Sequence, residues 1–290
     1  MLLTCNASSI ADLLKPRGKA APRLDLADAP SYIRDELGLN GMNLSTDLLV
    51  GATPERLMKL RDSADKAGCA ALLLSESEQQ PFGDDDDEVG FEAIDRMRRV
   101  LHAASLLGCN AASMSISSPD TEEAAEHVID RVREVVAQAD KLDVNLLIEP
   151  ADGLTAVPET LTEIIKKIGG FRIGTLPDFK SAHDSGDPET YLRRLTPYAS
   201  VVNATTIDFE PGEEAPPDDA PGSLEALADA LMNSAPPTHT AYDLAPMVAA
   251  ISSVGFDGTL AINYRGQEDG TLGVQHSREA LEAAIEAMGK

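Results

Sequence analysis

Short apolar runs alternate with amphipathic stretches of helical period along the chain from about Arg23 onward, and this alternation predicts strands and helices in turn. In the unit from Thr53 to Leu74, Thr53 is placed to cap a helix and Pro54 suits its first position. Leu57, Leu60, Ala64 and Ala67 share one face, and Gly68 ends the helix. The run Cys69-Ala70-Ala71-Leu72-Leu73-Leu74 then reads as a strand buried on both faces. The unit recurs with a helix over Phe91 to Leu107, a stop at Gly108 and a strand over Ala111 to Ile116. After Ser118 comes a long helix whose Ala125, Val128, Ile129, Val132, Val136 and Ala139 recur at spacings of three and four.

Val144 to Ile148 is the next strand. Helices over Pro158 to Ile168 and Pro188 to Leu195 follow, with strands at Phe171 to Thr175 and Ser200 to Thr206. A polar, proline-rich connection from Glu210 to Pro221 interrupts the rhythm. Helices at Leu224 to Met232 and Leu244 to Val254, a strand at Gly258 to Ile262 and a helix from Gln275 to Met288 complete it. With two weaker early strands, Arg23 to Leu26 and Gly41 to Leu44, the spacing predicts an α/β fold, a single (β/α)8 TIM barrel. A doubly wound open sheet would carry a glycine-rich phosphate loop, and no such motif is present. Residues 1–20, with a short helical stretch at Ser8 to Leu14, read as an N-terminal arm, and 21–290 as the barrel domain.

Composition narrows the function. Apolar residues make up 43% of the 290, enough for a large core. Against 24 Lys and Arg stand 49 Asp and Glu, a net charge of −25 that repels phosphate backbones, so no nucleic-acid partner is expected. No apolar run reaches the roughly 18 residues of a membrane span, and the start lacks the pattern of a secretory signal, so the expectation is a cytoplasmic protein without a membrane partner. Cys5, Cys69 and Cys109 are isolated and odd in number, which encodes neither a disulfide framework nor a thiolate zinc site. The run Asp84 to Glu88 lacks the alternating ligands and turn glycine of a calcium loop and reads as an exposed loop tip. No nucleophile triad is readable, and with no Trp and 4% aromatic residues a stacking platform for polymers is poorly provisioned.

In a barrel of this kind the chemistry sits where strands end, so polar residues terminating apolar runs are the candidates. Glu149 ends Leu146-Leu147-Ile148, Asp178 follows the run from Ile173 to Pro177, Asn203 follows Val201-Val202, and Asn263 ends Leu260-Ala261-Ile262. His183 lies five residues after Asp178, and Arg265 two after Asn263. Asn43, Ser75, Glu76, Ser115 and Ser117 are lesser candidates that also suit turns. His102, His127 and His276 fall in predicted helices and His239 in a proline-rich loop, so metal roles are not expected for them.

The segments Leu146-Leu147-Ile148-Glu149, Tyr198 to Ala204 and Gly255 to Tyr264 resemble the sugar phosphate isomerase/epimerase family, the xylose isomerase-like TIM barrels. The resemblance implies one divalent ion held by a Glu, an Asp, a His and a second Glu on late strands, the two Glu also moving protons between adjacent sugar carbons. Glu149 matches the first Glu and Asp178 the Asp; Asn203 stands at the His and Asn263 at the final Glu. An amide can still ligate a hard cation, so Mg²⁺ or Mn²⁺ on Glu149 and Asp178 remains the cofactor option, while the imidazole preference for transition metals is lost. An amide takes no proton at neutral pH, which removes Asn263 as the second acid/base.

What the resemblance implies is a sugar (phosphate) isomerase/epimerase-like protein acting on a small polyhydroxy carbonyl compound. Glu149 is then the base, His183 a substrate contact or second proton carrier, and Asn203, Asn263 and Arg265 substrate contacts, Arg265 suiting a phosphate or carboxylate. The alternative is a non-catalytic relative that binds a sugar-like ligand or serves as a scaffold. A homodimer is the family-level expectation. The shortage of histidines sets the chain apart from endonuclease relatives with a histidine-rich trinuclear zinc site.

Overall fold

The computed structural model describes residues 1–16, 18, 21–210, 212 and 235–288. Eight parallel strands make up its central sheet: β1 (Leu2–Asn6), β2 (Gly41–Ser45), β3 (Ala70–Ser75), β4 (Ala111–Ser115), β5 (Asn145–Glu149), β6 (Ile173–Thr175), β7 (Val201–Thr206) and β8 (Thr259–Tyr264). Hydrogen-bonded ladders run continuously from β6 through β5, β4, β3, β2 and β1 to β8 and then β7. The remaining gap, between β6 and β7, is closed by a bridge between Asp178 and Asn203, where the Asn203 N–H donates to the Pro177 carbonyl at 2.8 Å. At this seam only glycine fits position 174, because a Cβ there would lie 2.2 Å from the Tyr198 carbonyl oxygen. The result is the closed (β/α)8 TIM barrel expected from the alternation.

The first strand is the principal departure. Leu2–Asn6 pairs with β8 from Leu2↔Thr259 to Cys5↔Ile262 and with β2 through Cys5 and Asn6, so the segment read as an arm supplies a barrel strand. Arg23 to Leu26 is a turn-rich connection that leads into a short helix. A strand of five residues with no helix before it carries no periodicity to announce it, and Thr4 and Asn6 break its apolar run because they face the polar barrel interior.

Outside the sheet lie α1 (Ala11–Leu14), α2 (Ala29–Asp35), α3 (Pro54–Ala67), α4 (Asp87–Leu107), α5 (Glu122–Leu142), α6 (Pro158–Ile168), α7 (Phe179–Asp184), α8 (Pro188–Leu195), α9 (Leu244–Ser253) and α10 (Gly270–Met288). Local chemistry sets their ends. Thr53 accepts from the Arg56 N–H at the start of α3, and Gly68 takes φ 67° at its end. The acidic run at Asp84 to Glu88 is the start of α4: Asp86 caps it by accepting from the Glu88 N–H at 2.9 Å, and its acids face the positive end of the helix dipole. The buried Arg131 of α5 holds that loop through the carbonyls of Phe82, at 3.0 Å, and Asp84, at 2.5 Å. The three cysteines are buried and unpaired. Among the described residues no helix is long and apolar enough to cross a membrane. The expected helix at Leu224 to Met232 and most of the proline-rich connection fall outside the described residues.

Two cores result. The larger lies between sheet and helices; the smaller fills the floor of the barrel with Leu73, Ala111, Leu147, Leu176, Val201 and Ala261. Two residues further along each of those strands, on the same face, stand Ser75, Ser113, Glu149, Asp178, Asn203 and Asn263. The barrel interior thus changes from apolar to polar over a single step of the pleat, and the polar layer is the one at the carboxyl ends.

Candidate active site at the carboxyl ends of the strands

Glu149, the last residue of β5, is held in place by Leu147 two residues before it, which is locked in the floor. Among the described residues its carboxyl has no hydrogen-bond partner. Burial pushes this carboxyl up from the usual 4.5 to about 7; the charge of Asp178 adds to the rise and Arg265 opposes it.

Asp178 performs a structural task as well as an electrostatic one. It caps α7, with Oδ1 accepting from the Ser181 N–H at 3.0 Å, and Oδ2 accepts from the Thr205 hydroxyl of β7. Only 6% of it is exposed, and burial raises its pKa against the lowering effect of Thr205, Ser181 and Arg265. Asn203 of β7 accepts at Oδ1 from the Asn6 amide of β1 at 3.2 Å. Arg265 carries donors only, which fixes the Asn263 amide oxygen toward it: Nε and Nη2 donate to that oxygen at 3.1 and 3.0 Å. The same oxygen lies 2.9 Å from the Thr205 hydroxyl. When Asp178 takes a proton it donates to Thr205, and Thr205 turns its own proton to Asn263. In that protonation state a continuous chain runs from Asp178 through Thr205 and Asn263 to Arg265.

Five of the six residues singled out in the sequence are thus gathered: Glu149, Asp178 and Arg265 by their charges, Asn263 and Asp178 through Thr205, and Asn203 beside Asp178 across the seam. His183 stands apart. It is exposed on α7, its ring makes no hydrogen bond among the described residues, and it stacks on Tyr242 with ring centroids 4.9 Å apart. Tyr242 in turn donates its hydroxyl to the Thr205 carbonyl. His239 fixes that segment: its Nε2 accepts from the Ile207 N–H at 3.0 Å, which leaves the proton on Nδ1 to donate to the Tyr242 carbonyl at 2.7 Å. Burial lowers its pKa, so this ring is a neutral strut.

Asn6, Thr205 and Tyr242 were missed in the sequence. Thr205 was visible as the second inward position after Asn203, and Asn6 as the polar end of Leu2-Leu3-Thr4-Cys5. Of the lesser candidates, Glu76 is paired with Arg96 at 2.7 Å and accepts from the Thr46 hydroxyl and the Glu78 N–H. Ser75 accepts from Ser113 at 2.9 Å, and Asn43 donates to Thr4 at 3.1 Å inside the barrel. Glu76 and the two serines are thereby engaged, whereas the Asn43 amide oxygen is buried without a hydrogen-bond partner among the described residues.

The fit of a divalent ion follows from the donors. Among the described residues no group of three or more His, Cys, Asp and Glu could hold one. Of the four strand-end positions, Asp178 has both oxygens engaged, Asn203 and Asn263 have their oxygens on Asn6 and Arg265, and a guanidinium shares the field of both carboxylates. Glu149 alone is free to ligate, and these residues do not fit a dication.

The profile of the xylose isomerase-like TIM barrel family matches residues 34–288. Among solved structures the chain is similar to an L-ribulose 3-epimerase, at 13% identity and TM-score 0.73 over 100% of this chain and 97% of that one. It is similar to a D-psicose 3-epimerase from Clostridium cellulolyticum H10, solved with D-tagatose, at 12% identity and TM-score 0.71 over 99% and 98%. It is also similar to an IolI protein with a bound zinc atom, at 14% identity and TM-score 0.70 over 99% of each chain. Likeness at these identities is one of fold. Comparison with curated proteins finds no match.

Proposed function

The chain belongs to the xylose isomerase-like TIM barrel family, and from that premise we propose that it is a sugar isomerase or epimerase acting on a small polyhydroxy carbonyl compound by proton transfer next to the carbonyl. The observation that carries this reading is the Glu149 carboxyl: half-buried at the barrel mouth, without a hydrogen-bond partner among the described residues, and raised to about 7, so that it both takes and returns a proton near neutrality. In the forward step the Glu149 carboxylate removes the proton from the hydroxyl-bearing carbon beside the carbonyl. The C–H pair becomes a C=C bond and the carbonyl pair moves to oxygen. The hydroxyl proton passes to that oxygen, and return of the carbon proton to the former carbonyl carbon completes an isomerisation. An epimerisation instead takes its proton on the opposite face from a second carrier, the role left to His183. Arg265 and the amides of Asn203 and Asn263 are the groups for the sugar oxygens, and His183 borders the site beyond Tyr242 as a substrate contact. No step is routed through a metal ion.

The solved relatives are named as epimerases of ribulose and psicose, which supports a ketose as the first substrate to try. The test is uptake of deuterium from D₂O by a panel of ketoses and aldoses, followed by NMR. Exchange by the wild type and none by Glu149→Gln upholds the reading; equal exchange by both rejects it.

A second reading, a sugar-binding or scaffolding relative without turnover, is favoured by the amides at 203 and 263. It predicts a rise in melting temperature with a sugar and no deuterium uptake.

A further inference from the structure

Resting on that reading, we propose that the guanidinium of Arg265 supplies the positive charge that the family resemblance assigns to a divalent ion, so that proton transfer at this barrel mouth is metal-independent. Three observations carry it.

The first is occupancy of the donors. A dication would have to compete with the donors already placed on these oxygens: the cap of α7 and Thr205 on Asp178, Asn6 on Asn203, and the Arg265 guanidinium on Asn263. Detaching Asp178 would also disturb the seam where β6 meets β7.

The second is how Arg265 is held. Its Nε and Nη2 donate to the Asn263 amide oxygen, and its backbone N–H donates to the Thr206 carbonyl at 2.8 Å. Of the five N–H bonds of a guanidinium, two are used and three are left for a substrate. The acceptor that orients it is neutral. A carboxylate at 263 would pair with the guanidinium and cancel its charge, whereas an amide fixes its direction and leaves the full charge to act. Asn263 is therefore a positioning residue, and the exchange of acid for amide that removes a metal ligand is the same one that frees Arg265.

The third is the charge at the site. Three carboxylates with one dication, as the resemblance implies, sum to −1; with both acids ionised, as Glu149 is when it removes a proton, Glu149 and Asp178 with Arg265 also sum to −1. The loss of one acid is matched by the change from a dication to a monocation. As the carbonyl pair moves onto oxygen during proton removal, the free N–H bonds of Arg265 hold the developing oxyanion, and no co-reactant is consumed.

The inference is tested by metal content and melting temperature of the full chain, measured after EDTA and again with millimolar Mg²⁺, Mn²⁺ or Zn²⁺. Unchanged melting and absence of stoichiometric metal uphold it; a rise that Asp178→Asn abolishes overturns it. This readout requires no turnover, so it stands even if no sugar exchanges and the reading beneath it fails. Exchange that appears only with added metal keeps that reading and overturns the inference. On the same deuterium assay, Arg265→Ala is expected to lose about 10²–10³-fold and to recover in part with added guanidinium ion. Exchange by Arg265→Ala equal to that of wild type overturns the inference.

Discussion

Glu76 and Glu149 lie on the same rim of the barrel, each at the carboxyl end of a strand, yet the chain treats them in opposite ways. The Glu76 side chain is fully buried, with Arg96 against one oxygen and the Thr46 hydroxyl and Glu78 N–H on the other. Glu149 is half-buried with no such partner among the described residues, and Arg265, the cation whose charge acts on it, is held by an amide. A buried carboxylate with matched donors is an element of structure; one without them keeps its proton near neutrality and is available for chemistry.

That contrast can be broken from either side. The largest effect is expected for Glu149→Gln, a loss of about 10³-fold in deuterium exchange with the melting temperature retained, whereas Glu76→Gln leaves exchange within severalfold. The pH dependence of stability comes next. The folded chain holds the Glu149 proton up to about 7 and the unfolded chain releases it near 4.5. The folded state therefore binds more protons in that window; the stabilisation is complete below about 4.5 and is lost as pH rises through 7. The loss reaches about 3 kcal/mol at most, and Glu149→Gln abolishes it, as denaturant titrations at both pH values will read. Arg96→Ala leaves Glu76 buried and short of its main partner, and about 2–3 kcal/mol of unfolding free energy should go, with exchange unaffected. The smallest effect is that of Thr46→Val, about 1 kcal/mol for loss of a hydroxyl shared between Glu76 and the exposed Ser77, measured in the same way.

Most of the fold was legible because helix and strand signals agree unit after unit: Thr53 and Gly68 bracket α3 as their chemistry requires, and Leu147 and Glu149 obey the pleat. What escaped was β1, whose five residues carry two polar side chains directed into the barrel and follow no helix. With it went Asn6, the partner of Asn203. The four strand-end groups were legible because polar residues closing apolar runs in a barrel have few reasons to exist apart from a site. Their pairing was not, since Thr205 joins Asp178 to Asn263 through a closure that no local pattern encodes. His183 shows the opposite limit: five residues of sequence separation from Asp178 become a turn of α7 that directs the ring toward Tyr242.

Where β6 meets β7, the hoop is fastened by Asp178 and Asn203, members of the polar group at the barrel mouth to which we assign the chemistry. The clasp and the working parts are one. Any loosening that lets the barrel breathe at this point misaligns the chemistry with it, and any mutation that retunes the chemistry tugs on the fastening. Such a molecule has little freedom to evolve the two separately.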